Sequence, residues 1–222
     1  MGLTGLIKGT LVISEPRIRQ GPKGFGKTLK CLGIPKKIYM PENTKVVRMR
    51  ISSQMEKAIN DQIAYEASAI NAYVAMGSWC ERTGYDGSAV FFFEQAIEEN
   101  THMLKFVHYL NNAEAEAIIP AIEKPQGKFD SLESTFQAAL KSEQTVTKLI
   151  NSLVEIAEKE KDRATNLFLQ WFVSEQVEEE ILFQTILQKF EIFGREKLAV
   201  YQIDQSLASI RSQVSAKKQS SS

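Results

Sequence analysis

The chain has 222 residues, 43% of them hydrophobic and 24% charged, which is enough to bury a sizeable core in one domain. Its two cysteines, Cys31 and Cys80, exclude a disulfide framework and a Cys-x-x-Cys metal knuckle, and fit a reducing cytoplasm. No apolar run approaches the roughly 18 residues of a membrane span, and no signal-peptide pattern marks the N-terminus, so neither membrane insertion nor export is expected.

The formal net charge of zero conceals an asymmetry, because residues 1–50 hold 11 Lys or Arg against two acids, whereas the other 172 hold 16 against 25. Those first fifty residues are rich in Gly, Pro and Lys and show no sustained helical period, so they read as a poorly ordered basic extension. Helical periodicity begins near Ser52 and runs to Arg82. Thr83-Gly84-Tyr85-Asp86-Gly87 then makes a turn short enough to require an antiparallel neighbour. The second helix is expected from about Ser88 to Asn112. A connection containing Pro120, Pro125 and Gly127 follows, long enough to cross the length of a bundle. Asp130 with Glu133 resembles a capping box for a third helix that continues to about Glu160. After Lys161-Asp162-Arg163 a fourth helix ends at Phe193-Gly194, where Gly suits the position just past a helix end. A shorter fifth helix is expected over Lys197 to Val214. The domain then spans 51–215, with 216–222 as a flexible tail, and the fold class is an all-α four-helix bundle with a long crossover between helices two and three plus a short fifth helix.

The four long helices share one anomaly. Steps of four and three residues trace an apolar seam on each: Ile59, Ile63, Glu66, Ile70 and Tyr73, then Phe92, Ala96, Glu99, Met103, Phe106 and Leu110. The third seam is Phe136, Ala139, Glu143, Val146, Ile150 and Leu153, and the fourth Leu169, Phe172, Gln176, Glu179, Phe183, Ile186 and Phe190. Each is interrupted near mid-length by a carboxylate or an amide. Helices of about 25 to 30 residues measure about 40 Å, and their midpoints coincide however they are threaded. Packed together, they bring Glu66, Glu99, Glu143, Gln176 and Glu179 to one height in the core. Unpaired buried carboxylates cost several kcal/mol each, and a cluster so acidic calls for at least one divalent metal, more naturally two. Glu99 and His102 form Glu-x-x-His, which places both side chains on one helix face and adds a nitrogen donor. In dimetal carboxylate bundles two helices give one Glu each and two give a Glu-x-x-His pair; here the fourth helix departs from that pattern with Gln176 and Glu179.

Over roughly residues 53 to 212, including Glu98-Glu99-Asn100-Thr101-His102, Leu169 to Gln176 and Glu178-Glu179-Glu180, the chain resembles the bacterial non-haem ferritins. The resemblance implies a first iron position at Glu66, Glu99 and His102, with Glu99 bridging to a second at Glu143, Gln176 and Glu179. It also implies a third iron site from Glu98, Glu175, Glu178 and Glu179, against the plainer reading of that acidic run as a solvated helix face. Tyr73 is either core packing or the tyrosine that the family keeps beside its dimetal centre and that can supply an electron; Trp171 has the same two readings, with packing preferred. Bacterioferritins place a haem-binding Met directly after the bridging Glu. This chain has Asn100 there, so haem is not expected.

By the same resemblance, the chain is an iron-storage ferritin with ferroxidase activity. It takes Fe(II) with dioxygen or hydrogen peroxide as oxidant, and assembles as a homo-oligomeric cage of twenty-four subunits with the fifth helix helping to close it. Oxygen-rich ligation with one imidazole suits Fe(II), with Zn(II) and Mn(II) as competitors. The rivals are a di-iron oxidase or peroxidase of the rubrerythrin type, which usually carries an added Cys-x-x-Cys pair, and a non-catalytic cage scaffold. Gly21 to Thr28 satisfies the phosphate-loop spacing, but Gly33 and Pro35 leave no room for the helix that such a loop needs, so nucleotide binding is discounted. The basic extension lacks interleaved aromatics and implies no specific nucleic-acid partner; an upstream start is an equal explanation, since Met49 or Met55 would begin an ordinary ferritin. His108 reads as a surface residue and Cys80 as a small buried hydrophobe.

Overall fold

The computed structural model describes residues 51–220, with the α5 side chains described through Leu207 and at Ile210. The expectations for residues 1–50, including the phosphate-loop spacing, lie outside these residues. Among the described residues the secondary structure is five helices: α1 (Ser53–Thr83), α2 (Asp86–Asn112), α3 (Leu132–Glu160), α4 (Arg163–Phe193) and α5 (Lys197–Ser220). The first four form the expected bundle, with α1 packed on α2, α3 on α4 and α1 on α3, while α5 lies against α2 and α4.

Local chemistry sets the boundaries. Ser52 caps α1 by accepting the Met55 amide at 3.0 Å, and Gly84 at φ 84° ends it; there the Tyr85 amide reaches back to the Cys80 carbonyl at 2.9 Å, a left-handed cap that a side chain would strain. The α3 cap is one residue later than expected. Ser131 and Ser134 form the reciprocal box, while Glu133 is turned to a bidentate pair with Arg195 at 2.6 and 2.7 Å. Asp162 caps α4 by accepting the Thr165 amide at 3.0 Å.

The connection between α2 and α3 runs the length of α1. At one end Asn60 accepts the Ile118 amide at 2.7 Å and donates to the Glu116 carbonyl at 2.9 Å. At the other, Phe129 packs edge-on against Trp79, with ring centroids 5.6 Å apart. Anchored at both ends, it makes α3 start beside the start of α2.

Helix α2 begins at Asp86, ahead of the Ser88 that its pattern suggested, because its N-terminus is capped from α5. Asp204, buried, accepts the Gly87 amide at 3.1 Å, the Ser88 amide at 2.7 Å and the Ser88 hydroxyl at 2.6 Å. A Cβ on Gly87 would sit 2.2 Å from the Asp204 carbonyl oxygen, so glycine is what permits this approach. Cys80 is buried nearby, and burial, followed by the Asp204 charge, pushes its thiol up to about 12. Helix α5 continues past the expected Val214 to Ser220.

The apolar interior is divided in two. One cluster gathers Tyr73, Phe92, Phe136, Phe183 and Phe190 with Ile203 and Leu207 of α5. The other gathers Met55, Ile59, Phe106, Ile150 and Phe172 near the opposite end of the bundle. Between them lies a layer of buried polar side chains. No helix among the described residues is long and apolar enough to cross a membrane.

Candidate metal centre

The polar layer contains the five seam residues expected from the sequence. Glu66 from α1, Glu99 from α2, Glu143 from α3, and Gln176 and Glu179 from α4 are all at most 4% exposed, as is His102. Two other seam positions, Ile70 and Met103, are only half-buried. His102, one position before Met103, turns inward in its place.

One donor atom each from Glu66, Glu99 and His102 lies within 4.8 Å of the others. His102 Nδ1 is 3.1 Å from Glu99 Oε2. On the far side of the layer, Gln176 Nε2 donates to Glu143 Oε2 at 3.2 Å, and the Tyr73 hydroxyl donates to Glu143 Oε1. Two further amides in the layer, Gln62 and Gln95, lie outside the expected seams. Gln62 Nε2 donates to Glu66 Oε1 at 2.8 Å and Gln95 Nε2 to Glu179 Oε2 at 2.9 Å, and both are fully buried. Each stands four residues before a seam glutamate, Glu66 or Glu99, so the same helical spacing could have found them.

The electrostatics of this layer are those of acids crowded together out of water. Burial raises the Glu66 carboxyl well above its ordinary value, and the Glu99 charge adds to the effect. Glu99 is raised by burial and then by Glu143. Glu143 is pushed up to about 7 by burial, although hydrogen bonds from Tyr73 and Gln176 oppose the shift. Burial and the Glu143 charge also raise the Tyr73 hydroxyl. No Lys or Arg among the described residues is buried to neutralise five buried glutamates, Glu66, Glu99, Glu143, Glu175 and Glu179. Moreover, Glu66 Oε2 and Gln62 Oε1 are buried with no hydrogen-bond partner. Orphaned buried acceptors cost about 1 to 3 kcal/mol each, and a divalent cation supplies what they lack. The donor set, carboxylates with one imidazole, fits Fe(II), Mn(II) or Zn(II).

The acidic run on α4 is split by the helix. Glu175 is buried and, with half-buried Glu98 and with His102, forms a second group whose donor atoms lie within 4.8 Å. Glu178 is half-buried and stands outside that group, as does Glu179. Glu180 accepts the Thr147 hydroxyl at 2.6 Å. Trp171 is 38% exposed. Its ring meets that of His102 edge-on, with centroids 5.4 Å apart, and Lys105 Nζ lies 3.3 Å from the indole centroid. His108 is exposed.

Fold and site together define a helical bundle built around a buried carboxylate and histidine cluster. Residues 56–193 match the Ferritin-like domain family, and the chain belongs to the ferritin family. It is 39% identical over 160 residues to a bacterial non-heme ferritin of Campylobacter jejuni, covering 72% of this chain and 96% of that one. It is 40% identical over 157 residues to a bacterial non-heme ferritin of Staphylococcus aureus, covering 71% and 95%. Among solved structures it superposes on an open-pore ferritin from Archaeoglobus fulgidus with a TM-score of 0.69 and 36% identity, over 71% of this chain and 97% of that one.

Proposed function

We infer that this chain is the subunit of an iron-storage ferritin that oxidises Fe(II) at a dinuclear centre and passes Fe(III) to a ferric mineral inside a hollow homo-oligomeric cage of twenty-four subunits. The observation that carries this reading is the layer of buried glutamates with no buried Lys or Arg among the described residues, in which Glu66 keeps an orphaned oxygen. Membership of the ferritin family, and relatives named as bacterial non-heme ferritins, support it.

In this reading Fe(II) is the substrate. Glu66, Glu99 and His102 take one ion, while Glu143, Gln176 and Glu179 take the other, with Glu99 shared. Carboxylates stabilise Fe(III) more than Fe(II), because the Coulomb attraction grows with the cation charge. Dioxygen removes one electron from each of two Fe(II) and, with two protons, leaves as hydrogen peroxide. The raised carboxyls deprotonate as iron binds, so uptake releases protons. Tyr73 and Gln176 orient Glu143 through its two oxygens, and Gln62 and Gln95 orient Glu66 and Glu179. One imidazole and a neutral amide among the ligands hold Fe(III) less firmly than two imidazoles, which favours passage onward. Glu98, Glu175, Glu178 and Glu179 would supply the third iron position on the way, and the grouping of Glu98 and Glu175 with His102 supports it.

The test is size-exclusion chromatography with inline light scattering and iron assay, after Fe(II) is added in air in large excess over the centres. Iron co-eluting with a particle on the order of half a megadalton, built from 25.0 kDa chains, is the expected result. A small species keeping only about two metals per chain would replace this reading with a di-iron oxidase of the rubrerythrin type, and a cage that leaves Fe(II) unoxidised would replace it with a scaffold.

A further inference from the structure

Two oxidisable side chains adjoin the candidate ligands, and their surroundings are opposite. Tyr73 is buried, and its hydroxyl donates to Glu143, a base that accepts the phenolic proton when an electron leaves the ring. Trp171 touches His102 edge-on at 5.4 Å between centroids but carries the Lys105 ammonium over its face, 3.3 Å from the ring centre. A cation over an indole is attracted to the electron-rich face of the neutral ring. Once an electron has been removed, the same cation is repelled by the positive ring. The contact therefore stabilises the reduced tryptophan and destabilises its oxidised form.

We propose that Lys105 protects Trp171 from oxidation at the neighbouring metal cluster, acting as a positioning residue that directs electron loss away from the indole. This rests on the ferroxidase reading, which supplies the oxidant. Hydrogen peroxide, added or formed from dioxygen, is reduced to two waters by two further electrons and two protons. When Fe(II) supplies both electrons, the protein is untouched. When Fe(II) runs short, a nearby side chain gives them up one at a time, and for Trp171 the Nε1 proton would pass to water. Without the ammonium, the indole bordering His102 is an open donor, since it is 38% exposed and its radical can react further with oxygen and water. With it, the loss falls to Tyr73 or waits for Fe(II).

The experiment uses the full chain as wild type, Lys105→Met, Lys105→Arg and Trp171→Phe. In one arm metal-free protein is oxidised by radiolytically generated azide radicals; in the other, protein carrying sub-stoichiometric Fe(II) is treated with hydrogen peroxide. Peptide mass spectrometry measures hydroxylated and ring-opened Trp171 against Trp79, which is buried beside Tyr85 and Phe129 and serves as internal reference. Freeze-quenched paramagnetic resonance, with Trp171→Phe as blank, identifies the indolyl radical. Lys105→Met should raise Trp171 oxidation roughly fivefold or more in both arms, and Lys105→Arg, which keeps a cation able to stack on the ring, should restore the wild-type yield. Equal Trp171 oxidation in wild type and Lys105→Met in the metal-free arm overturns the proposal. If that arm shows the rise while iron is never oxidised, the iron reading fails and the protective role of Lys105 stands.

Discussion

Replacing Glu143 by glutamine isolates the cost of keeping an acid in the polar layer. In the folded chain this carboxyl is pushed from its ordinary 4.5 to about 7, while in the unfolded chain it titrates normally. The sign follows from linkage: a carboxyl with a raised folded value contributes its full stability below 4.5 and loses it as the pH climbs through 7. The whole interval corresponds to roughly 3 kcal/mol at about 1.4 kcal/mol per tenfold change. Glutamine is nearly isosteric, still accepts from Tyr73 and carries no charge to desolvate. Metal-free Glu143→Gln should therefore match wild type near pH 5 and be more stable at pH 8 by up to about 3 kcal/mol. Urea unfolding of chelator-treated protein at both values, followed by circular dichroism, reads this as a higher midpoint for the variant only at pH 8. With Zn(II) or Fe(II) present the order should reverse, since the glutamate then has a cation to bind. A variant whose midpoint falls with pH as steeply as that of wild type would show that Glu143 is not the buried, unneutralised acid described above.

The remaining expectations concern the roles of other residues. Glu99→Ala should abolish rapid Fe(II) oxidation, followed by absorbance in stopped flow, while leaving the assembled mass unchanged; a wild-type initial rate would remove Glu99 from the bridging position. Glu178→Ala should spare the first rapid turnover and slow later ones, and equal slowing of the first would join the third position to the dinuclear centre. Gly87→Ala, whose Cβ would collide with the Asp204 carbonyl oxygen 2.2 Å away, should weaken the seating of α5 and cost about 2 to 4 kcal/mol through the lost cap. Faster hydrogen exchange in α5 and at the start of α2, with none in α3, is the signature; unchanged exchange would show that the junction relaxes freely.

The bundle and its acidic layer were legible because both are periodic. A seam stepping by four and three fixes which side chains face inward, and helices of similar length align their midpoints, so the sequence alone places Glu66, Glu99, Glu143, Gln176 and Glu179 at one level. Ile70 and Met103 are only half-buried, although Tyr73, Phe106 and Leu110 further along the same seams are buried. What the pattern could not contain was any contact between distant segments of chain. Asp204 and Ser88 are paired only because α5 packs across the start of α2, and no local spacing relates them. Glu133 looked like a cap partner by its spacing from Asp130, yet Arg195, 62 positions away, claims it. Gln62 and Gln95 lie one position off the seams, before Ile63 and Ala96, so the stepping pattern passes them by although their hydrogen bonds hold Glu66 and Glu179 in place.

The acidic layer also divides the bundle mechanically. With Phe92, Phe136, Phe183 and the α5 side chains on one side and Phe106, Ile150 and Phe172 on the other, the interior is two separate jigsaw puzzles joined by a polar layer. Packing changes in the two separate clusters should come close to summing, as expected for distant sites, whereas either should couple strongly to the layer that both border. The bundle can thus drift in sequence at both ends while the middle stays fixed, and a metal bound there clamps together two halves that otherwise meet across mutually repelling acids.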